Sequence, residues 1–186
     1  MSNFFKETDI DTSQAEAIVT ETLKNCDDGE LYLENHKSES IVLDDNKIKS
    51  STYNSDQGYG FRAVTGEVVA YSHSNDISKE SLIKSSDNLK DTLKSKKGTY
   101  NHEIPKTNNK YYENINPIES KTFDSKIDLL NSVNNYLRSK GSIVNQVTAN
   151  FLGEHKSIEI IRSDNQVLKD DRPLVRFNVS VVLEKD

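Results

Sequence analysis

The chain has 186 residues, a net charge of −6, 33% hydrophobic residues and 29% charged residues. This length supports a hydrophobic core without covalent staples, and a single cysteine, Cys26, excludes an internal disulfide. The acidic balance without a concentrated basic face argues against direct nucleic-acid contact, and no apolar run approaches the length of a membrane span.

Residues 1–11 carry acids and lack the apolar segment of a signal peptide, so a cytoplasmic, soluble protein is expected. Residues 13–26 read as a helix. Ala15, Ile18, Val19, Thr22, Leu23 and Cys26 share a face, Ser13 and Glu16 form a capping box, and Gly29 ends it. Cys26 reads as a buried structural thiol. Residues 30–74 read as an antiparallel meander. Its strands carry Leu31 and Leu33, then Ile41 and Leu43, then 48–53, 58–64 and 68–73. Asp44-Asp45-Asn46 and Thr65-Gly66 supply turns.

Residues 78–95 read as a second helix, capped by Ser78, with Leu82, Ile83, Ser86, Leu89 and Leu93 on its apolar face. Lys90, Lys94, Lys96 and Lys97 suit the solvated end of that helix, where the dipole favours cations. Residues 96–116, with Gly98 and Pro105, read as a long surface excursion. A third helix is predicted from about Thr122 to Ser139, using Phe123, Ile127, Leu130, Val133 and Leu137, with Gly141 as its stop.

The last stretch is β again. Val147, Ala149 and Phe151 alternate, as do Ile158 and Ile160, and Asp164-Asn165 is a turn. Val175, Phe177, Val179, Val181 and Leu183 then form the apolar side of a half-buried strand. Such a strand wants neighbours on both edges, so a longer parent chain is expected. The order predicts an α+β fold: an antiparallel or mixed sheet from two meanders, with three main helices packed on it.

Few residues suggest chemistry. A zinc peptidase needs two histidines on one helix face and a glutamate that activates water. His36, His73, His102 and His155 are scattered. His102-Glu103 is followed by Pro105 and no second histidine, so no metal or catalytic residue is assigned within the chain. Gly58-Tyr59-Gly60-Phe61-Arg62-Ala63 matches G-x-G-x-x-A, but a dinucleotide site needs a helix directly afterwards, and none is predicted before Ser78. The glycines read instead as places of close backbone approach in a sheet. The pairs Asp27-Asp28, Asp44-Asp45 and Asp170-Asp171 read as solvated turn residues. Arg62 and Arg176, each within a strand, are expected to face solvent.

Residue strings go further than spacing. Gly29-Glu30-Leu31-Tyr32-Leu33, Leu43-Asp44-Asp45, and Asp56-Gln57-Gly58-Tyr59-Gly60-Phe61-Arg62-Ala63-Val64-Thr65-Gly66-Glu67 resemble the opening of the TldD/PmbA family. Gln146-Val147-Thr148-Ala149 and Asp171-Arg172-Pro173-Leu174-Val175-Arg176 are similar to TldD rather than to its PmbA (TldE) sister. The resemblance implies an N-terminal helix over residues 1–28 and a TldD/PmbA-type N-terminal α+β domain over 29–186, with the next domain starting somewhere in 143–186. It implies a zinc metallopeptidase that trims unfolded or short peptides. The His-Glu-x-x-x-His helix and its zinc then lie downstream, so this chain itself binds no cofactor. The implied partner is a TldE/PmbA-like subunit in a larger assembly. Gly58, Gly60, Arg62, Gly66, Arg172, Pro173 and Arg176 carry family strings and are expected to be structural or to line a peptide channel. Two alternatives stay open: a stand-alone binding or assembly module, and a regulator of DNA gyrase acting indirectly.

Overall fold

The computed structural model describes residues 4–6, 8–94, 97–99, 111–164 and 166–184. Most of the expected excursion at 96–116, including His102 and Pro105, lies outside the described residues, as does Asn165 of the expected turn. In chain order the elements are α1 (Thr12–Leu23), β1 (Asp28–Asp44), β2 (Lys47–Thr65), β3 (Val68–Ser74), α2 (Lys79–Thr92), α3 (Phe123–Arg138), β4 (Val144–Arg162) and β5 (Val167–Leu183). The strands form one five-stranded antiparallel sheet in the order β3-β2-β1-β4-β5, accompanied by three helices. This is the α+β architecture expected from the order of apolar periodicities.

Several local expectations are corrected. Helix α1 is capped by Asp11, whose carboxylate accepts from the Gln14 backbone, while the Gln14 side chain returns to the Asp11 backbone. Ser13 and Glu16 therefore do not form the capping box: aspartate two residues earlier is at least as good a cap and fixes the helix start. The helix ends at Leu23, and Gly29 already belongs to β1.

The meander has fewer and longer strands than its apolar alternation indicates. β2 runs unbroken from Lys47 to Thr65 although residues 47–57 are exposed throughout. Neither face of that stretch is buried, so no alternation marks it; pairing of the backbone keeps it extended. The β1–β2 hairpin turns on Asp45 and Asn46, both at positive φ (48° and 67°). Two such residues give the turn whose twist matches a two-residue hairpin, and Asx side chains tolerate it.

The chain divides into two compact units. The first comprises Met1–Asn35, Asp56–Tyr111 and Ser157–Asp171. Its core joins Ala15, Val19 and Leu23 of α1 and Leu82 and Leu89 of α2 to Leu31, Leu33, Phe61, Ala63, Ala70 and Ile161 from four strands. On α2, Ile83 points outward and is 43% exposed, whereas the rest of the expected face is buried. On β4 Ile161 joins this core cluster; Ile158 is buried as expected, whereas Ile160 is only half-buried. Parity decides this: Ser157, Glu159 and Ile161 share the inward side, and the two polar residues mask the pattern.

The second unit comprises His36–Ser55, Tyr112–Lys156 and Arg172–Asp186. Its core is small: Leu130 of α3 packs with Ile41, Leu43, Ala149 and Phe151. The buried stripe of α3 is Lys126, Leu130 and Asn134, while Phe123 is 42% exposed. The expected apolar stripe is thus rotated, because two polar residues at helical spacing find hydrogen-bond partners, Lys126 in buried Glu39 and Asn134 in Asn46 of the β1–β2 turn. The expected burial of β5 is also corrected. Val175, Phe177, Val179, Val181 and Leu183 are all exposed. β5 lies at the sheet margin, and the packing of α3 is directed at β1 and β4.

Candidate functional site

In the first unit, strand alternation sends Leu31 and Leu33 of β1 and Phe61 and Ala63 of β2 into the core. Glu30 and Arg62 therefore project from the opposite side of the sheet. Arg62 Nε donates to Glu30 Oε1 at 2.7 Å and Nη2 donates to Glu30 Oε2 at 2.7 Å, a two-pronged clamp. Nη2 also reaches Asp28 Oδ2 at 2.5 Å, and Arg162 Nη2 of β4 donates to Asp28 Oδ1 at 2.8 Å. Four charges from three strands thus form one network. The solvent-facing expectation for Arg62 is corrected, for its guanidinium is engaged on two acids. Burial pulls the Asp28 carboxyl upward, but the hydrogen bond and charge of Arg62 and the charge of Arg162 outweigh it and hold it below its ordinary value. Glu30, then Asp28, raise the Arg62 pKa further above its already high value.

Gly58 and Gly60 lie beside this network on β2. A side chain at Gly58 would put its Cβ 2.7 Å from the Ser74 carbonyl oxygen, so only glycine permits this approach to the end of β3. Gly60 lies under the Tyr71 ring, which stacks on His73 with centroids 5.8 Å apart. Gly66 takes φ 60° in the β2–β3 turn. Its N–H donates to Asp27 Oδ2 at 2.6 Å, and Thr99 N donates to Asp27 Oδ1 at 2.6 Å, so Asp27 is spent on turn structure. β2 continues to Thr65 and no helix follows the glycines directly, so the geometry of a dinucleotide loop is not formed.

The other singled-out residues, Arg172, Pro173 and Arg176, lie on β5 in the second unit, and Arg176 is exposed as expected. That unit contains a feature that sequence reading missed. Lys126 of α3 is buried, and its Nζ donates to Glu39 of β1 and, at 2.7 Å, to the Ile118 carbonyl oxygen. The ammonium also stands 5.7 Å from the centroid of Phe151. Next to it opens a cavity of about 390 Å³ with Pro117, Leu129, Phe151 and Val175 as its apolar walls. At the tip of the β1–β2 hairpin, Asp44 accepts from Gln146 (2.8 Å), Thr148 (2.7 Å) and Lys49 (3.0 Å). These donors, Gln146 first, bring its pKa down to about 2.

A peptidase metal requires at least three converging donor side chains. Among the described residues no group of three His, Cys, Asp or Glu converges, and this donor set does not fit a zinc ion. Cys26 is buried, its Sγ donates to the Thr22 carbonyl oxygen at 3.8 Å, and burial raises its thiol pKa. It lacks the thiolate character of a nucleophile. No helix among the described residues is long and apolar enough to cross a membrane.

These features define an α+β protein in which helices cover the apolar cores of an antiparallel sheet and the first unit carries a charged network on the sheet's other side. Residues 29–95 match the PmbA/TldA metallopeptidase domain 1 and residues 116–186 match the PmbA/TldA metallopeptidase central domain. The chain belongs to the PmbA/TldD metallopeptidase family. It is similar to the metalloprotease TldD homolog of Buchnera aphidicola from Acyrthosiphon pisum, with 33% identity over 162 residues, which is 87% of this chain and 34% of that protein. A TldD homolog of Haemophilus influenzae is 33% identical over 169 residues, 88% of this chain and 34% of that protein. The chain therefore spans about a third of the length of the curated relatives it matches.

Among solved structures, its fold resembles a protein of Bacteroides thetaiotaomicron described as a candidate modulator of DNA gyrase. The TM-score is 0.68 at 14% identity, over 95% of this chain and 42% of that one. It also resembles TldE of Thermococcus kodakarensis, with a TM-score of 0.66 at 12% identity, over 92% of this chain and 40% of that one.

Proposed function

We propose that this chain is the framework and peptide-guiding part of a TldD-type zinc metallopeptidase that trims unfolded or short peptides. In this reading residues 29–186 belong to its N-terminal portion, residues 1–28 add a helical segment, and the zinc site comes from polypeptide outside this sequence. The partner is a TldE/PmbA-like subunit; the likeness in fold to TldE supports a shared framework. The observation that carries the peptide-binding role is the sheet order, which leaves β3 and β5 at its two margins. A marginal strand offers unpaired N–H and C=O groups to an extended chain, and such pairing reads length and extension more than side-chain identity. The family strings fall next to these margins: Gly58 at the end of β3, and Arg172, Pro173 and Arg176 on β5.

The solved structure described as a candidate modulator of DNA gyrase favours a second reading, an effect on gyrase. With a net charge of −6 on the chain, that effect is better explained as an indirect consequence of proteolysis than by contact with DNA.

The test uses the full-length protein. Arg62→Ala and Arg176→Ala should each raise KM for an extended peptide severalfold. Unchanged peptide turnover in both variants would sink the proposal. A reading frame that continues past Asp186 into an unrelated domain would also sink it.

A further inference from the structure

We infer that the cavity beside α3 binds the carboxy-terminal residue of a peptide when that residue is large and apolar. The inference rests on the peptide-binding reading above and narrows it to a class of substrate end. Three observations carry it.

The first is size and character. About 390 Å³ lies toward the small end of ligand pockets, enough for one leucine- or phenylalanine-sized side chain. Pro117, Leu129, Phe151 and Val175 give it apolar walls.

The second is charge. The lining contains two lysines, Lys121 and Lys126, and no carboxylate. Glu39 already balances Lys126, whose buried stem helps to build the wall. Lys121 is exposed and has no ion-pair partner among the described residues. Ser120, also exposed, adds a hydroxyl to the lining. One unmatched ammonium beside an apolar hollow suits an anion joined directly to an apolar body. A peptide's last residue has that form: its α-carboxylate and its side chain leave the same carbon. An internal residue offers the side chain without the anion.

The third is location. Val175 belongs to β5, a strand at the sheet margin. Residues preceding the peptide terminus therefore have unpaired main-chain groups within reach.

The experiment is fluorescence anisotropy on this 186-residue chain, with four labelled hexapeptides of otherwise equal composition. One ends in Phe with a free carboxylate, one is its C-terminal amide, one ends in Ala, and one carries Phe at an internal position. The free Phe terminus should bind about tenfold tighter than each of the others, the value of one charge-assisted contact together with a filled apolar hollow. Lys121→Ala, on an exposed side chain, should erase the difference between acid and amide with Tm unchanged. Leu129→Trp should fill the cavity and weaken the Phe-ending peptide by about tenfold. Equal binding of all four peptides overturns the pocket assignment and leaves strand pairing standing. Binding of none overturns both. Competition by N-acetylphenylalanine with the same affinity as the hexapeptide would assign the cavity to small carboxylates and overturn the peptide terminus as its occupant.

Discussion

The first unit closes its core with two helices, α1 and α2, whose Val19, Leu23, Leu82 and Leu89 meet side chains from four strands. Among the described residues the second unit has one helix, and only its Leu130 joins that unit's apolar cluster. The difference shows in what holds each unit together. Burial of apolar area dominates the first. The second depends more on polar groups: Lys126 with Glu39, Asn134 with Asn46 at 2.6 Å, and Asp44 with Gln146 and Thr148. It also leaves apolar surface uncovered along β5, where Val175 is 53% and Leu183 is 60% exposed. Contiguous exposed apolar residues mark a surface that meets something else. The first unit is thus built as a core, and the second as a surface with a thin core beneath it.

Substitutions can break this contrast. Phe61 is fully buried in the first unit. Phe61→Ala should cost about 3–5 kcal/mol, the range for an aromatic removed from a packed core. Val179→Thr on β5 should stay within about 0.5 kcal/mol, as for other surface changes. Both are measured as shifts in the urea midpoint at constant m. Comparable losses at the two positions would mean that β5 is buried in solution.

A second test sharpens the contrast by asking whether polar pairing really supports the smaller core. Lys126→Met strands the Glu39 carboxylate among apolar neighbours, and the cost should be about 3 kcal/mol. Adding Glu39→Leu to Lys126→Met should recover most of that loss, because an apolar pair of similar volume replaces a buried ion pair at little net cost. Failure of the double variant to recover would show that the pair also fixes the geometry of α3 through its bond to the Ile118 carbonyl.

The same contrast explains what could be read from sequence. All three helices and the two meanders were legible, because period in apolar residues marks any element with a buried face. The Ser78 cap falls where the sequence places it, and α3 begins within a residue of its expected start at Thr122. What escaped was polar burial. Lys126 and Asn134 sit on the inward face of α3, yet their partners Glu39 and Asn46 lie 87 and 88 residues away in sequence. The acids on Arg62 were hidden similarly: Glu30 is 32 and Asp28 is 34 residues distant, although the alternation of Leu31 and Leu33 already put Glu30 on the polar side. The glycines of the candidate site were legible as places of close approach. The cavity beside α3 was not, since its walls come from a turn, a helix and two strands.

The smallest expected effect concerns protons, and it separates the hairpin tip of the second unit from its core. Asp44 titrates at about 2 in the folded chain, against an ordinary 3.8, with Gln146, Thr148 and Lys49 stabilising its charged form. A carboxyl depressed by folding binds fewer protons in the native state than in the unfolded one. Its contribution is therefore complete above about pH 4 and fades as pH falls toward 2. Carbon-detected NMR of the Asp44 carboxyl should show the low midpoint directly. Gln146→Ala with Thr148→Val should move that midpoint up toward the ordinary aspartate value and flatten the acid limb of stability, while leaving stability between pH 6 and 8 only slightly reduced. These donors reach Asp44 from β4, so the shift reports the β1–β4 pairing at the hairpin end rather than packing under α3. If Asp44 titrates near its ordinary value in the unaltered chain, the polar groups do not hold this end of the unit, and its order must come from β-pairing alone.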